Sequence, residues 1–250
     1  TKSGSTWLRV MISHLYHLRY GVPEKEILNF DNLHRLNPAI PKIHFARDTV
    51  TPFFSVFDSV VPAPPEQKML FLLRDPRDVA VSFYFHVLHR AGRRELDRKR
   101  ISRDAVSEMT LYDFLTDEHL GVPRVIGYMN RWWEERSRFS ANCMIKYEDM
   151  RQDPQAALHK AISFLDQEFD ETLLRQAVQF ASFENLARKE AAGFFNSKRM
   201  QPGDVSDPNT FKVRRGQVGG YRDYFSAEEL EAIDALLQGA LPPELGYSSK

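Results

Sequence analysis

The sequence is poor in cysteine: Cys143 is the only one among 250 residues. No intrachain disulfide can form, and no cysteine-rich zinc site can be assembled. A lone thiol fits a reducing, cytoplasmic setting. No apolar run reaches the ~18 residues that mark a transmembrane helix, so no membrane span is expected. No signal peptide is visible, in a chain that opens inside a motif. Neither sign of charge is in excess, with 34 Lys+Arg against 34 Asp+Glu. A general affinity for nucleic acid is therefore not expected, and any anion site must be local. Also missing are an acidic cluster at metal-ligand spacing and the Gly-x-x-x-x-Gly-Lys-Ser/Thr loop of nucleoside triphosphatases. The length suits one sizeable α/β domain, or at most two small ones.

What is present alternates between helix and strand. Trp7, Leu8, Met11, Ile12, Leu15 and Leu18 recur at helical spacing and predict a helix over 4–20, stopped by Gly21 and Pro23. Residues 23–66 read as short helices and loops around an extended segment near 42–46. The apolar run "KMLFLLRDP" (68–76) predicts a buried strand. A helix begins at once, with Asp75 as N-cap, Pro76 at the first helical position and Asp78 three residues after the cap. The charged stretch 91–104 reads as a surface loop. Further helices are expected at 110–118, 122–138, 154–166, 170–180, 182–190 and 226–239. "NCMIKYEDM" (142–150) reads as a short strand ending in a polar turn. Residues 191–222 read as one long loop. The pattern gives a single α/β domain over 1–250, a parallel sheet flanked by helices.

Four places could carry chemistry. The opening "TKSGSTW" puts a lysine, a glycine and hydroxyls at a helix head, where unpaired backbone N–H groups and the helix dipole favour an anion. Read alone, it is equally an N-capped helix with a surface lysine. Arg74 leaves the carboxyl end of a strand, where ligands gather in open α/β sheets, and Ser82 lies two helical turns beyond the cap. The rival reading is a local salt bridge of Arg74 with Asp75 or Asp78 and a core serine. Arg214, Arg215 and Arg222 sit among glycines in a loop that could close over an anion or simply be solvated. Lys42 and His44 alternate along an expected strand end and so share one side; a histidine there suits a general base.

Taken together, "TKSGSTW", "RDPRDVAVSFYFH" (74–86, within 72–86), "YEDM" (147–150) and "VRRGQVGGYRDYFS" (213–226) occur in the order found in cytosolic-type sulfotransferases, and the chain resembles that family from residue 1 to about 226. The resemblance implies use of 3′-phosphoadenosine 5′-phosphosulfate (PAPS). It assigns Lys2, Ser3, Gly4, Ser5 and Thr6 to a P-loop-like phosphosulfate-binding loop. Trp7, Tyr147 and Phe183 would contact the adenine, Arg74 and Ser82 the 3′-phosphate, and Arg214, Arg215 and Gly216 would close on that phosphate. His44 would be the catalytic base, with Lys42 and Lys2 assisting; no metal is implied. The family's strand before the loop is missing, so the domain reads as N-terminally truncated. Arg215 replaces a usual lysine, Gly220-Tyr221 stands where Asp-Trp is common, and Ala181 replaces a threonine.

The implied reaction is sulfuryl transfer to an acceptor hydroxyl, by in-line displacement with a histidine base. Phe45, Phe53, Phe54, Phe57, Phe83, Tyr84, Phe85 and Phe194 could line an apolar pocket for a small acceptor, or be ordinary core. Two alternatives stand beside this reading: a kinase-like phosphate-loop enzyme, and a protein that binds PAPS or its product without turning it over.

Overall fold

The computed structural model describes residues 2–43 and 66–247, without the side chains of 30–32 and 199. Helix α1 (Ser5–Tyr20) starts at Gly4 and ends at Gly21, both in the left-handed region. It is buried on every side over Leu8–Tyr16, with Val10, Met11, Leu15 and Tyr16 fully enclosed. A helix apolar on one face would lie at a surface; this one runs through a core. A single 3₁₀ turn (Glu24–Glu26) and α2 (Phe30–Leu36) follow.

Strand β1 (Lys68–Leu73) lies where the apolar run predicts it. Its burial alternates, with Met69, Phe71 and Leu73 covered and Leu70 and Leu72 partly open. Side chains of a strand point to opposite faces in turn, so one face is the fully packed one. Helix α3 (Pro76–His89) begins as its sequence predicts: Asp75 accepts from the Arg77 backbone N–H, and Pro76 occupies the first position.

The stretch 91–104 is corrected from loop to helix. It folds as α4 (Arg93–Lys99) and the start of α5 (Arg103–Glu108). Leu96, Ile101 and Val106 are buried, but their five-residue spacing gives no helical periodicity. Charged groups turn inward with them. Lys99 pairs with Glu95 at 3.2 Å and sits over the Phe83 ring, while Arg103 donates to the carbonyls of Val87 and Ala91.

Helices α6 (Leu111–Thr116) and α7 (Val122–Glu135) come next, then β2 (Ala141–Lys146). Strands β1 and β2 make up a small parallel sheet among the described residues. The "YEDM" segment is corrected too: it opens a helix, α8 (Tyr147–Gln152), rather than a polar turn. Tyr147 and Met150 are its buried anchors, one turn apart. Helices α9 (Pro154–Phe164), α10 (Glu171–Phe180) and α11 (Phe183–Ala191) lie close to their predicted spans, capped by Asp153, Asp170 and Ser182. Residues 192–226 hold only short 3₁₀ turns, and α12 (Ala227–Ala235) ends four residues earlier than its pattern suggests.

The described residues form two compact units. One comprises 3–43 and 143–216, where α1 packs on α10, α9 and α2, and α9 on α8. The other comprises Lys2, 66–142 and 217–247, where α3 packs on α5, α6, α7 and the 3₁₀ turn Gly220–Tyr224. No described helix is long and apolar enough to cross a membrane.

Candidate active site

In the first unit the head of α1 is shaped by a glycine. Gly4 has φ +84°, and a Cβ there would come within 2.7 Å of the Tyr147 ring. No side chain caps this end and no acidic residue occupies the first turn. The N–H groups of that turn have no partner within the helix, so the end keeps its positive character. Gly4→Ala is expected to cost about 1–3 kcal/mol, from left-handed strain plus displacement of the ring. A lowered urea midpoint would show it; an unchanged midpoint would mean that the turn relaxes freely.

Trp7 follows one turn later. Its indole N–H donates to the carbonyl of Ala181 at 2.9 Å, and Tyr147 meets its ring edge-on at 5.9 Å. Ala181 is fully buried. The position noted for a missing threonine hydroxyl thus presents its carbonyl to the tryptophan. Gly216, at φ +62°, lies under the Phe183 ring, where a Cβ would stand 2.8 Å from it. The guanidinium of Arg151 lies 5.7 Å from the Trp7 ring. Trp7 thus meets Tyr147, the Phe183 ring covers Gly216, and the Arg151 guanidinium lies near both the Trp7 ring and Gly216. Arg151 had no signal in the sequence, because its place depends on "YEDMRQ" folding as α8.

Glu190 was also not legible. It is fully buried and accepts from the backbone N–H groups of Lys212 and Val213 at 2.6 and 2.9 Å. A buried carboxylate is costly unless its oxygens are hydrogen-bonded. Here the bonds fix the base of the segment that carries Arg214 and Arg215, both of which are half-buried.

In the second unit Arg74 is the centre of a backbone-anchored network. Its Nη1 donates to the Lys2 carbonyl at 3.3 Å and its Nη2 to the Gln217 carbonyl at 2.9 Å. Nη2 also stands 3.3 Å from the Asp78 carboxylate. The local salt bridge weighed for Arg74 is present, together with contacts to two distant stretches of chain. Asp78 does more than the cap role its position suggests: it accepts from the N–H groups of Gly219 at 2.9 Å and Tyr221 at 3.0 Å. Lys2 has φ +74°, a strained value for a residue with a side chain.

Tyr221, at the position where Asp-Trp is common, is fully buried, with the guanidiniums of Arg77 and Arg222 each 4.6 Å from its ring. Burial pushes its hydroxyl up to about 12, so it stays protonated at neutral pH. Ser82 is half-buried on α3 and Lys42 is exposed. His44 and the aromatics Phe45, Phe53, Phe54 and Phe57 lie outside the described residues. Phe83 is buried against Phe114, at 6.0 Å between rings, and belongs to the core.

Comparison with known proteins gives this arrangement its class. The model of the sulfotransferase domain matches residues 1–245, and the chain belongs to that family. Among curated relatives, mouse sulfotransferase 1B1 is 25% identical over 254 residues, covering 94% of this chain and 78% of the relative. Rabbit amine sulfotransferase is 24% identical, covering 95% and 77%. A crystal structure of retinol dehydratase in complex with androsterone and the inactive cofactor PAP superposes with a TM-score of 0.53 at 14% identity, over 96% of this chain and 78% of that one. That likeness shows the fold, an α/β sulfotransferase fold.

Proposed function

We propose that this chain transfers the sulfuryl group of PAPS to the hydroxyl of a small acceptor. The observation that carries the reading is the head of α1. A left-handed glycine, a first turn free of acidic side chains and a tryptophan anchored one turn on present backbone N–H groups and an aromatic face together. The group fits these residues, because Gly4 and Gly216 leave space that a Cβ would fill against Tyr147 and Phe183. When bound, PAPS supplies the sulfuryl group and a phosphate leaving group.

The chain's own residues divide the work. Lys2, Ser3, Gly4, Ser5 and Thr6 would bind the 5′-phosphosulfate, with Lys2 and the N–H groups stabilising charge that grows on the leaving oxygen. Trp7, Tyr147 and Phe183 would hold the adenine by its faces and edges. Arg74 and Ser82 would bind the 3′-phosphate, with Arg214, Arg215 and Gly216 closing on it; a guanidinium fork suits phosphate. Lys42 would hold the sulfuryl oxygens, and His44 would take the acceptor's proton. None of these roles calls for a metal. The retained lysine and histidine favour an active enzyme over a binding protein. A cytoplasmic site of action accords with the family and with the single cysteine.

Calorimetry with adenosine 3′,5′-bisphosphate tests the donor site. Wild type should bind it, and Arg74→Ala should bind about 10–100-fold more weakly, the loss of hydrogen bonds from a charged group worth about 1.5–3 kcal/mol. Equal affinity in the variant would overturn the role of Arg74. Thermal stabilisation by ATP with Mg²⁺ but not by the bisphosphate would instead favour the kinase-like alternative. Radiolabelled PAPS, offered with a panel of phenols, sterols, alcohols and amines, reads out the acceptor class.

A further inference from the structure

Helix α1 carries two histidines one turn apart, His14 and His17, and Glu24 lies in the 3₁₀ turn after the helix. None of the three has a part in the donor site. One ligand atom from each lies within 4.8 Å of the other two. We propose that His14, His17 and Glu24 form a binding site for a divalent transition-metal ion of the zinc type. Two imidazoles and one carboxylate are a borderline nitrogen and oxygen donor set that suits Zn²⁺, and three protein ligands leave a coordination position for water.

The hydrogen bonding of the two rings carries the inference. His17 Nδ1 is engaged with the Val22 carbonyl at 2.6 Å. A bond from N–H to a backbone carbonyl fixes the tautomer and leaves Nε2 as the lone-pair donor, the usual second support of a metal-bound histidine. His14 is 94% buried, yet neither of its nitrogens completes a hydrogen bond. Nδ1 is enclosed without a partner, and Nε2 stands 3.6 Å from Glu24 Oε1. That gap is too long for a hydrogen bond. It is close to the separation of about 3.4 Å between two tetrahedral ligands of one ion at zinc bond lengths. The His14 ring is held by stacking on Phe180, 3.8 Å between centroids, which uses its face and leaves its edge available.

Charge and access agree. Burial first, then His17 and Lys189, lowers His14 to about 4, so it is neutral at pH 7, the form that binds metal. Glu24 supplies the negative charge. Lys189 opposes a cation, but its ammonium is drawn over the rings of Phe180 and Phe194, at 4.4 and 3.6 Å. His14 also lines a groove of about 740 Å³ with Leu18, Gln179, Phe180 and Glu184, and the Glu24 side chain is one-third exposed to solvent.

The test uses the untagged full chain, freed of metal by a chelator. It is titrated with ZnCl₂ by calorimetry and with CoCl₂ by visible absorption. Wild type should bind one equivalent of Zn²⁺, and Co²⁺ should give the d–d bands of a low-coordinate site. His17→Gln and Glu24→Gln should each weaken Zn²⁺ binding by about tenfold or more, since even a metal ligand's supporting partner is worth 10–100-fold. Glu24 is one-third exposed in a surface turn, so that variant keeps the fold, which its thermal melt without metal will report. Absence of saturable one-equivalent binding, or equal affinity in wild type and both variants, overturns the proposal.

Discussion

Asp78→Ala is expected to destabilise the protein by about 3–5 kcal/mol, the range for removing one partner of a buried charge pair. The Asp78 side chain is 3% exposed and that of Arg74 12%. Losing the carboxylate strands two donors, the N–H groups of Gly219 and Tyr221, and leaves the Arg74 guanidinium without its counter-charge, its Nη2 still donating to the Gln217 carbonyl. Each buried donor left unsatisfied costs about 1–3 kcal/mol. Asp78→Asn is the sharper probe. One carboxylate oxygen serves Tyr221, and the other serves Gly219 and Arg74. An amide has a single oxygen, so its NH₂ must face a donor whichever way it turns. Asn should therefore recover only part of the loss, although it keeps the shape. Urea unfolding followed by tryptophan fluorescence measures both variants. A loss below about 1 kcal/mol for Asp78→Ala would mean that water replaces the carboxylate. Bisphosphate affinity should fall as well, because the same residue holds Arg74 and the turn after Gly219.

This network shows why part of the site was legible and part was not. Asp75, Pro76 and the run before them are local signals: a cap, a fixed φ and an apolar strand. They predicted β1 and the start of α3 closely. Arg74 with Asp78 was visible as an i,i+4 pair, but its contacts to Lys2 and Gln217 join residues 72 and 143 positions away. No local pattern encodes those. The same holds for Trp7, whose carbonyl partner is 174 positions distant. The stretch 91–104 failed for a different reason. Its charges looked solvated, yet Lys99 and Arg103 are turned inward, satisfied by Glu95 and by backbone carbonyls. Composition records how many charges there are and not which way they face. The secondary structure at Tyr147 was misread, since in "YEDM" three polar or aromatic residues with one methionine carry little helical periodicity.

His44→Ala is expected to lower turnover about 10²–10⁴-fold, the usual contribution of a general base, with bisphosphate affinity unchanged. The assignment rests on the resemblance; of the seven other histidines, five are engaged in the fold, while His119 and His159 are exposed on the surface. The chain has eight. His17 and His34 each engage a backbone carbonyl, of Val22 and Ile40, at 2.6 Å. His86 is paired with Glu95 at 3.1 Å, and the His89 ring stacks on Phe85. His14 is enclosed and, with its value lowered to about 4 chiefly by burial, a weak base at neutral pH. A base must reach the acceptor proton within about 2.6–3.2 Å, which rings tied into helix packing cannot readily do. The two variants His44→Ala and Arg74→Ala should then separate cleanly: the first loses rate and keeps donor binding, the second loses donor binding. Initial rates with radiolabelled PAPS and a responsive acceptor, read beside calorimetry, resolve the two. Turnover of His44→Ala within about tenfold of wild type, below the range a general base contributes, would remove the histidine from the chemistry and leave Lys2 and the N–H groups of α1 as the principal source of rate.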